Sequence, residues 1–577
     1  MPGATPTRAD SGEPVFRRIM SRRVPHLVGG YLLASWALLE FIDWMVTRYG
    51  WSGAWVDALL AAFAIQVPVV AYLAWCHGRP GQDRWYPAQW LAMAVSVVAG
   101  VSICVFVLQR APQESSPPSA PNTVAVLPFE DISEAGDSTY LADGFATEIG
   151  SALSRLTGLR VVSRSSTFEF REHRGDIRKI AAELSVAHVL EGSIRRSGDR
   201  IRVNVQLSSA SDGFEEWSDS YDRQLADVFA IQDEISIAVV NALKLHLPTG
   251  LIGSAADRHS KNLDAYDRYL RGRFFWNDRT LEGLQKAAEE FEAAVGIDPA
   301  YAAAYAGLSD VYVSLYDYGF LSLAESNSKA QEAAEKALAL DPRLAEAHTS
   351  LAHLDLHHWR WSDAERRFRK ALELDPNWAQ AYHWYALALT AVGRVDQAAE
   401  QLRLARNLEP LSPLINADFG MALYAAKRYE EAIEQERKTL ELDPSSRTAM
   451  WITGLSYEGM GRFDDAIARF ESALQLYPDS INLKSSLAHT YGVVGRTGDA
   501  EKLLEDLVSQ AGEPDFPAYT IAVVDVGLGD YDGAMHWLQT TYEQNSGWVR
   551  YLKVDARLDP LRGDPRFTAL IEKIGLP

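Results

Sequence analysis

The chain is 577 residues long, carries a formal net charge of −21 and has only two cysteines, Cys76 and Cys104. That length exceeds what one hydrophobic core serves, so several domains are expected. The acidity offers no basic face to a nucleic acid, and the lack of cysteine after residue 104 excludes a disulfide framework or cysteine zinc site beyond it.

Three apolar runs open the chain, from about Leu27 to Val46, Ala58 to Cys76 and Trp90 to Leu108. Each is near the roughly 20 residues that cross a bilayer core. Trp51, Trp55, Trp85 and Trp90 flank them, as headgroup-level rings do. Glu40 and Asp43, one turn apart in the first run, read as an interfacial pair, with a proton- or ion-sensing site as the alternative. Arg8, Arg17, Arg18, Arg22 and Arg23 keep the tail, residues 1–26, on the cytoplasmic side. Three transmembrane helices over 27–108 then place everything after about residue 110 in the periplasm of a bacterial inner membrane.

Residues 109–122, QRAPQESSPPSAPN, read as an extended Pro/Ser-rich linker. A small α+β domain is expected over 123–247. TVAVLPF and LRVVS read as buried strands; Phe145, Ile149, Leu153 and Leu156 mark a helix, and Ile177, Ile180 and Leu184 a second. HVLEGSIRR, the turn Ser197-Gly198-Asp199 and IRVNVQL form a hairpin. Ile201, Val203, Val205 and Leu207 alternate with polar residues, so one face is buried. Trp217 and Tyr221 belong to a further strand, and Val228, Ile231, Ile235 and Val239 to a helix face.

AVLPFEDIS, LADGFATEI, LRVVSRSSTFEF, HVLEGSIRRSGDRIRVNVQL and EEWSDSYDRQLADVFAIQDEI resemble the TolB N-terminal-like domain, related to FlgO and CsgG. The resemblance implies cell-envelope assembly or protein contacts, without catalysis. Some relatives carry a nucleotide cyclase or winged-helix domain ahead of their spans. Here about 26 residues precede the first run, so no such output domain is expected.

Repeats govern the remainder. Pro342, Pro376, Pro410, Pro444 and Pro478 stand 34 residues apart, and Pro299 precedes them by 43. A 34-residue period is that of the tetratricopeptide repeat, a helix–turn–helix. Twelve residues before each proline lies an alanine: Ala287, Ala330, Ala364, Ala398, Ala432 and Ala466. Such small residues let paired helices approach. Phe291, Phe368, Leu402 and Phe470 follow as packing residues. About eight units are expected over 262–548, with a capping helix over 549–577. The whole is a multidomain membrane protein: three spans, an α+β domain and an all-α solenoid.

Repeats of this class hold peptides on the concave surface built by the first helix of each pair. In this register the groove comprises Asp310, His353, His357, Gln380, His383, Tyr424, Trp451, Glu458, Asn482 and His489. Thr349, His353, His383 and Leu387 stand where the chaperone-binding subclass clamps a carboxylate with Lys and Asn, so that specificity is not expected. His353 and His357 could share a metal, but the run HLDLH lacks the Glu of a metalloprotease helix, and they read as groove or structural residues. No phosphate-binding loop, dinucleotide fingerprint or nucleophile elbow occurs. No cofactor, metal or catalytic residue is expected. The expected function is a membrane-anchored, non-enzymatic scaffold for protein or peptide partners in the cell envelope. A transmembrane sensor is the alternative.

Overall fold

The computed structural model describes residues 24–49, 54–77, 93–96, 98–100, 102, 122–133, 138–156, 158–171, 175–243, 260, 262–276, 280–317, 320–511 and 516–576. The chain divides into two compact units, Met1–Pro118 and Ser119–Pro577.

In the first unit, helices α1 (Val24–Tyr49) and α2 (Ala54–His77) pack together. The Tyr31 hydroxyl reaches the Phe63 carbonyl at 3.1 Å and Gln66 Oε1 at 3.3 Å. Among the described residues, no helix is long and apolar enough to cross a membrane. This overturns the three transmembrane helices, the membrane-integral assignment and the inner-membrane, periplasmic placement. Acidic residues interrupt α1 at Glu40 and Asp43, and Gln66 and Pro68 interrupt α2. The third apolar run is described only at residues 93–96, 98–100 and 102. Glu40 is exposed, whereas the side chain of Asp43 and the residues around Trp51, Trp85, Trp90 and Cys104 lie outside the described residues.

The second unit begins with a sheet. Its strands are β1 (Thr123–Val126), β2 (Glu130–Asp131), β3 (Arg160–Val162), β4 (His188–Ser197), β5 (Arg200–Ser209) and β6 (Glu215–Gln224). The order is β3-β1-β4-β5-β6, with β2 beside β4; β1 runs parallel to β3 and β4, and β4, β5 and β6 are antiparallel. Helices α3 (Thr139–Ser154) and α6 (Val228–Ala242) cover one face. Phe145, Ile149 and Leu153 meet Val203, Val205 and Ile235 there. The short α4 (Arg164–Thr167) follows β3, and α5 (Ile177–Glu183) closes the other face through Ile180 and Leu184.

Helix α7 (Leu263–Trp276) ties this domain to the repeats. Gln232 Nε2 donates to the Tyr266 hydroxyl at 2.9 Å, and Phe229 meets the Tyr266 ring edge-on at 4.7 Å. One core therefore runs from Phe145 in the sheet domain to Phe291 and Tyr301 in the first repeat.

Seven further pairs follow the α7–α8 pair, α8 being Leu281–Ile297. They are α9 (Ala302–Asp317) with α10 (Leu323–Leu340), α11 (Ala345–His357) with α12 (Trp361–Leu374), and α13 (Ala379–Ala391) with α14 (Val395–Leu408). Then come α15 (Pro413–Ala425) with α16 (Tyr429–Leu442), α17 (Arg447–Gly459) with α18 (Phe463–Leu476), α19 (Ile481–Val493) with α20 (Thr497–Gln510), and α21 (Ala518–Leu528) with α22 (Tyr531–Glu543). The periodic alanines, Ala364, Ala398, Ala432 and Ala466 among them, are fully buried between paired helices. The residue before each repeat proline, acidic in every case but Tyr477, ends its helix. Asp298, Asp375 and Asp443 accept the N–H two residues on at 2.9 to 3.0 Å, bridging the proline that has no N–H of its own.

Glu436 departs from the packing pattern. It occupies the position that Phe368, Leu402 and Phe470 hold in other units, is fully buried, and among the described residues neither carboxyl oxygen has a partner at hydrogen-bond geometry. Burial, reinforced by the nearby charge of Asp418, raises its pKa well above the ordinary value. The folded chain thus binds a proton that the unfolded chain releases. Stability from this site is greatest below the unfolded pKa and falls by about 1.4 kcal/mol for each pH unit above it, up to the raised folded value. Glu436→Leu should raise the urea midpoint at pH 7.5 by the equivalent of about 1–3 kcal/mol. Glu436→Gln should flatten the pH dependence. Urea titrations across pH 4.5 to 8 check both; an unchanged slope would show that Glu436 ionises freely.

The C-terminal segment does more than cap the last pair. Its only α-helix is α23 (Pro565–Lys573), preceded by 3-10 turns at Gly547–Tyr551 and Ala556–Leu561. It packs on α21 and α22 but also returns to earlier repeats. Trp361 Nε1 donates to the Ile574 carbonyl at 3.1 Å, and Lys427 pairs with Asp559 at 3.0 Å.

Candidate functional site

The first helices of successive pairs, α9, α11, α13 and α15, line the inner side of the solenoid. Each is packed against its own partner helix and against the next unit, so only a narrow strip faces inward. On that strip His353 stacks on Trp384 with centroids 3.9 Å apart and an interplanar angle of 29°. His357 lies one turn on, its Nε2 3.0 Å from His353 Nε2, and Tyr316 meets the His357 ring edge-on. The next strip carries Gln380 and His383, the latter with Nε2 2.6 Å from Asp418 Oδ2.

The sheet domain docks opposite this strip, and polar contacts join it to the turns between repeats. Asn377 Nδ2 donates to the Ser154 carbonyl at 2.5 Å and to the Leu159 carbonyl at 2.9 Å, while its Oδ1 accepts from Val161 N at 3.2 Å. Ser154 Oγ donates to Asp375 at 2.8 Å. Ser163 N donates to the Leu408 carbonyl at 2.8 Å, and its hydroxyl to Glu409 at 2.7 Å. The turns that separate repeats are thereby used to hold the outer edge of β3, which would otherwise present unpaired backbone groups. Burial pushes the Asp375 carboxyl up to about 6 against the lowering effect of the Asn377 N–H and Ser154.

A cavity of about 1130 Å³ remains between these parts. One wall is the sheet domain, with Thr147, Ser163, Arg164 and Phe168; a second is the repeat strip just described; the third is the start of the C-terminal segment, with Asn545, Trp548 and Arg550. Burial lowers the Arg164 pKa to about 9, which leaves it cationic at neutral pH. The Arg164 guanidinium lies 4.0 Å over the Phe168 ring and donates to Thr147 at 2.9 Å.

Of the residues assigned to a groove by register, His353, His357, Gln380 and His383 line this cavity. The others do not. Asp310 is buried between α9 and α11 and accepts from Ser350 at 2.6 Å. Tyr424 and Trp451 are covered by the C-terminal segment: the Tyr424 hydroxyl lies 3.5 Å from Asp555, and Trp548 packs edge-on against Trp451. Glu458 is buried and accepts from His489 at 2.7 Å and Thr490 at 2.8 Å. Asn482 sits half-buried at the start of α19, away from the cavity. Arg164, Phe168 and Arg550 carry no local signal that would have placed them here, because docking of distant segments creates the wall. Trp384 had one, since it directly follows His383 on an inward-facing helix.

Comparison with known proteins places these parts. Residues 120–235 match the model of the HilA/YgeH-like transcriptional regulator, second domain, and residues 417–481 and 459–522 match tetratricopeptide repeat models. The family matched over 120–235 is thus described in other terms than the TolB-like resemblance. A Rhizobium meliloti (strain 1021) protein described as "Putative adenylate cyclase 3" is 38% identical over 204 residues, 35% of this chain and 34% of its own length. The chain therefore spans about a third of that relative. Among solved structures, a tetratricopeptide repeat protein from Parabacteroides merdae ATCC 43184 is 14% identical with a TM-score of 0.35, covering 47% of this chain and 98% of its own. PilW, a type IV pilus biogenesis factor, is 18% identical with a TM-score of 0.33 over 39% of this chain and 99% of its own. The chain carries tetratricopeptide repeats, which are a protein-interaction fold.

Proposed function

We propose that the chain is a non-catalytic adaptor that takes an extended segment of a partner protein into the cavity between its repeats and its sheet domain. The observation that carries this reading is the part of the concave strip that borders the cavity, where His353 and His383 are nearly buried and His357 and Gln380 half-buried. His353, His357, Gln380 and His383 converge on one cavity large enough for a short peptide segment and too small for a folded domain. The other half of the strip is filled by the chain's own C-terminal segment. That filling is permanent on energetic grounds. Leu552, Leu558, Leu561, Phe567, Leu570 and Ile574 are all buried, and each such side chain is worth about 1.5–3 kcal/mol.

A photo-crosslinking residue at position 380 should capture discrete partners, and one at Glu373, on the outer helix α12, should not. Equal capture from both positions, or none from 380, would sink the groove reading. A second reading is favoured by the match over residues 120–235: the sheet domain serves regulation, reporting occupancy of the repeats to a separate output protein. In that case partner binding should change hydrogen exchange in α3 and β3. Conversion of ATP to cyclic AMP by the purified chain, the activity named for the Rhizobium relative, would overturn the non-catalytic reading.

A further inference from the structure

Five of the turns inside the helix pairs follow one design. The residue that starts the second helix is arginine in each: Arg360, Arg394, Arg428, Arg462 and Arg496. In the α11–α12 pair this arginine also holds an acid of the first helix. Arg360 Nε donates to Asp355 at 2.7 Å and Arg367 Nε at 3.0 Å, so the buried Asp355 carboxylate has two cations. The last pair, α21–α22, keeps the acid and loses both cations. At the same three positions of the repeat it carries Asp525, Asp530 and Trp537. Asp525 is 5% exposed, and among the described residues its carboxylate meets no hydrogen-bond donor and no cation. Burial, with the Asp530 charge added, pushes its pKa up to about 7. Asp530 is exposed and caps α22, its Oδ1 accepting from Gly533 N at 2.9 Å. A Cβ on Gly533 would lie 2.5 Å from Asp530 Oδ2 and 2.8 Å from Asp525 Oδ2, so both oxygens border one small space that glycine leaves open. Two carboxylates at one spot, one of them buried, repel each other unless something positive lies between them.

We propose that Asp525 and Asp530 hold a hydrated divalent cation of the magnesium class at the turn between α21 and α22, in the place that Arg360 fills for Asp355. Carboxylate oxygens are hard ligands, which favours Mg²⁺, Mn²⁺ or Ca²⁺ over zinc or copper. Among the described residues no third acid, histidine or cysteine joins the pair. That suits magnesium, which keeps several of its waters and takes one or two carboxylates. An ion needs no more than the opening beside Gly533, whereas the head of a partner's lysine or arginine would have to be buried against Asp525. The ion also bears on the C-terminal segment. Asp532, in the first turn of α22, pairs with Arg566 of α23 at 2.7 Å, so fixing this turn fixes one side of that contact.

Manganese is the probe. The full chain, freed of metal with a chelator and kept in about 0.15 M KCl to screen diffuse binding, is titrated with MnCl2 while free Mn²⁺ is read by electron paramagnetic resonance. A saturable site should bind with a Kd of about 0.1–1 mM, and MgCl2 should displace the ion. Asp525→Asn and Asp530→Asn should each weaken this binding at least about tenfold. Asp530 is exposed and asparagine caps a helix as well as aspartate does, so the second variant keeps its fold should the first lose it. Gly533→Ala should weaken binding with both acids in place, by closing the space between them. Asp530→Arg rebuilds the pair seen at Asp355 and Arg360; it should lose the site and melt at a higher temperature than the metal-free wild type. Equal Mn²⁺ binding by wild type and Asp530→Asn, or undiminished binding by Asp530→Arg, overturns the proposal. So does the absence of a saturable site in the wild type, which would leave the two acids sharing a proton.

Discussion

Arg557→Met is expected to cost about 3–5 kcal/mol of stability at pH 7, the largest effect of any single substitution in the C-terminal segment. Arg557 and Asp555 are both nearly inaccessible, at 8% and 5% exposure. The guanidinium holds the Asp555 carboxylate through Nε at 3.0 Å and Nη2 at 2.7 Å, and its Nη1 donates to Ser486 at 3.0 Å. The Arg557 backbone N–H donates to Asp555 Oδ1 at 3.0 Å, and the Tyr519 hydroxyl adds a further contact to Asp555 at 2.7 Å. Burial alone would raise the Asp555 pKa, but the Arg557 charge and these donors outweigh it and hold the carboxyl below its ordinary value. Its contribution is therefore present at neutral pH and lost as pH falls through the depressed folded pKa. Methionine keeps the bulk and strands the carboxylate, so the variant should be more stable at pH 5 than at pH 7, the reverse of the wild-type trend at this site. Adding Asp555→Asn should recover most of the loss, because removing both charges of a buried pair costs far less than removing one. Urea denaturation at both pH values measures this. A single-variant loss below about 1 kcal/mol would mean that the pair does not anchor the segment.

What could be read from the sequence was whatever the chain repeats or alternates. Prolines 34 residues apart, each twelve residues after an alanine and all but Pro478 behind a helix-ending acid, specify helix pairs because nearly every unit states the same local chemistry. Ile201, Val203, Val205 and Leu207 specify a strand with one buried face for the same reason. Register proposed an inward face, and four of its ten positions, His353, His357, Gln380 and His383, border the cavity, whereas Asp310 and Glu458 are buried in hydrogen bonds to neighbouring helices. It could not say what lies over that face. Tyr424 and Trp451 occupy groove positions as His353 and His383 do, yet residues 548–557 cover the first two and leave the second two on the cavity. Nothing in LDPLRGDPRF distinguishes a helix that caps the last unit from a segment that returns to Trp361 and Lys427. The apolar runs at the N-terminus illustrate the opposite error. Their composition suggested spans, but composition does not weigh Glu40 and Asp43, or Gln66 and Pro68, against the length that must remain uninterrupted.

Asn377 is where the two halves of the candidate site depend on one side chain. It stands in the turn after Pro376; the equivalent residue of the next repeat, Leu411, also meets the sheet domain, its N–H donating to Ser166 Oγ at 3.3 Å. The Asn377 amide closes three hydrogen bonds with backbone groups of the sheet domain, those of Ser154, Leu159 and Val161. Asn377→Ala leaves two carbonyls and one N–H without partners at a buried contact. Each such group costs about 1–3 kcal/mol, so the docking of sheet domain on repeats should weaken by several kcal/mol in total. Asn377→Asp should be worse, since a carboxylate would face the two carbonyl oxygens that the amide nitrogen now satisfies. The loss should be local. Hydrogen exchange in β3 and α4, whose outer edge rests on the turns at Asp375 and Glu409, should accelerate well before that of β4 and β5, which the repeats do not touch through these bonds. Equal acceleration throughout the sheet would mean that the domain unfolds as a unit, and unchanged exchange in β3 would mean that the apolar contacts around Leu411 hold it without Asn377.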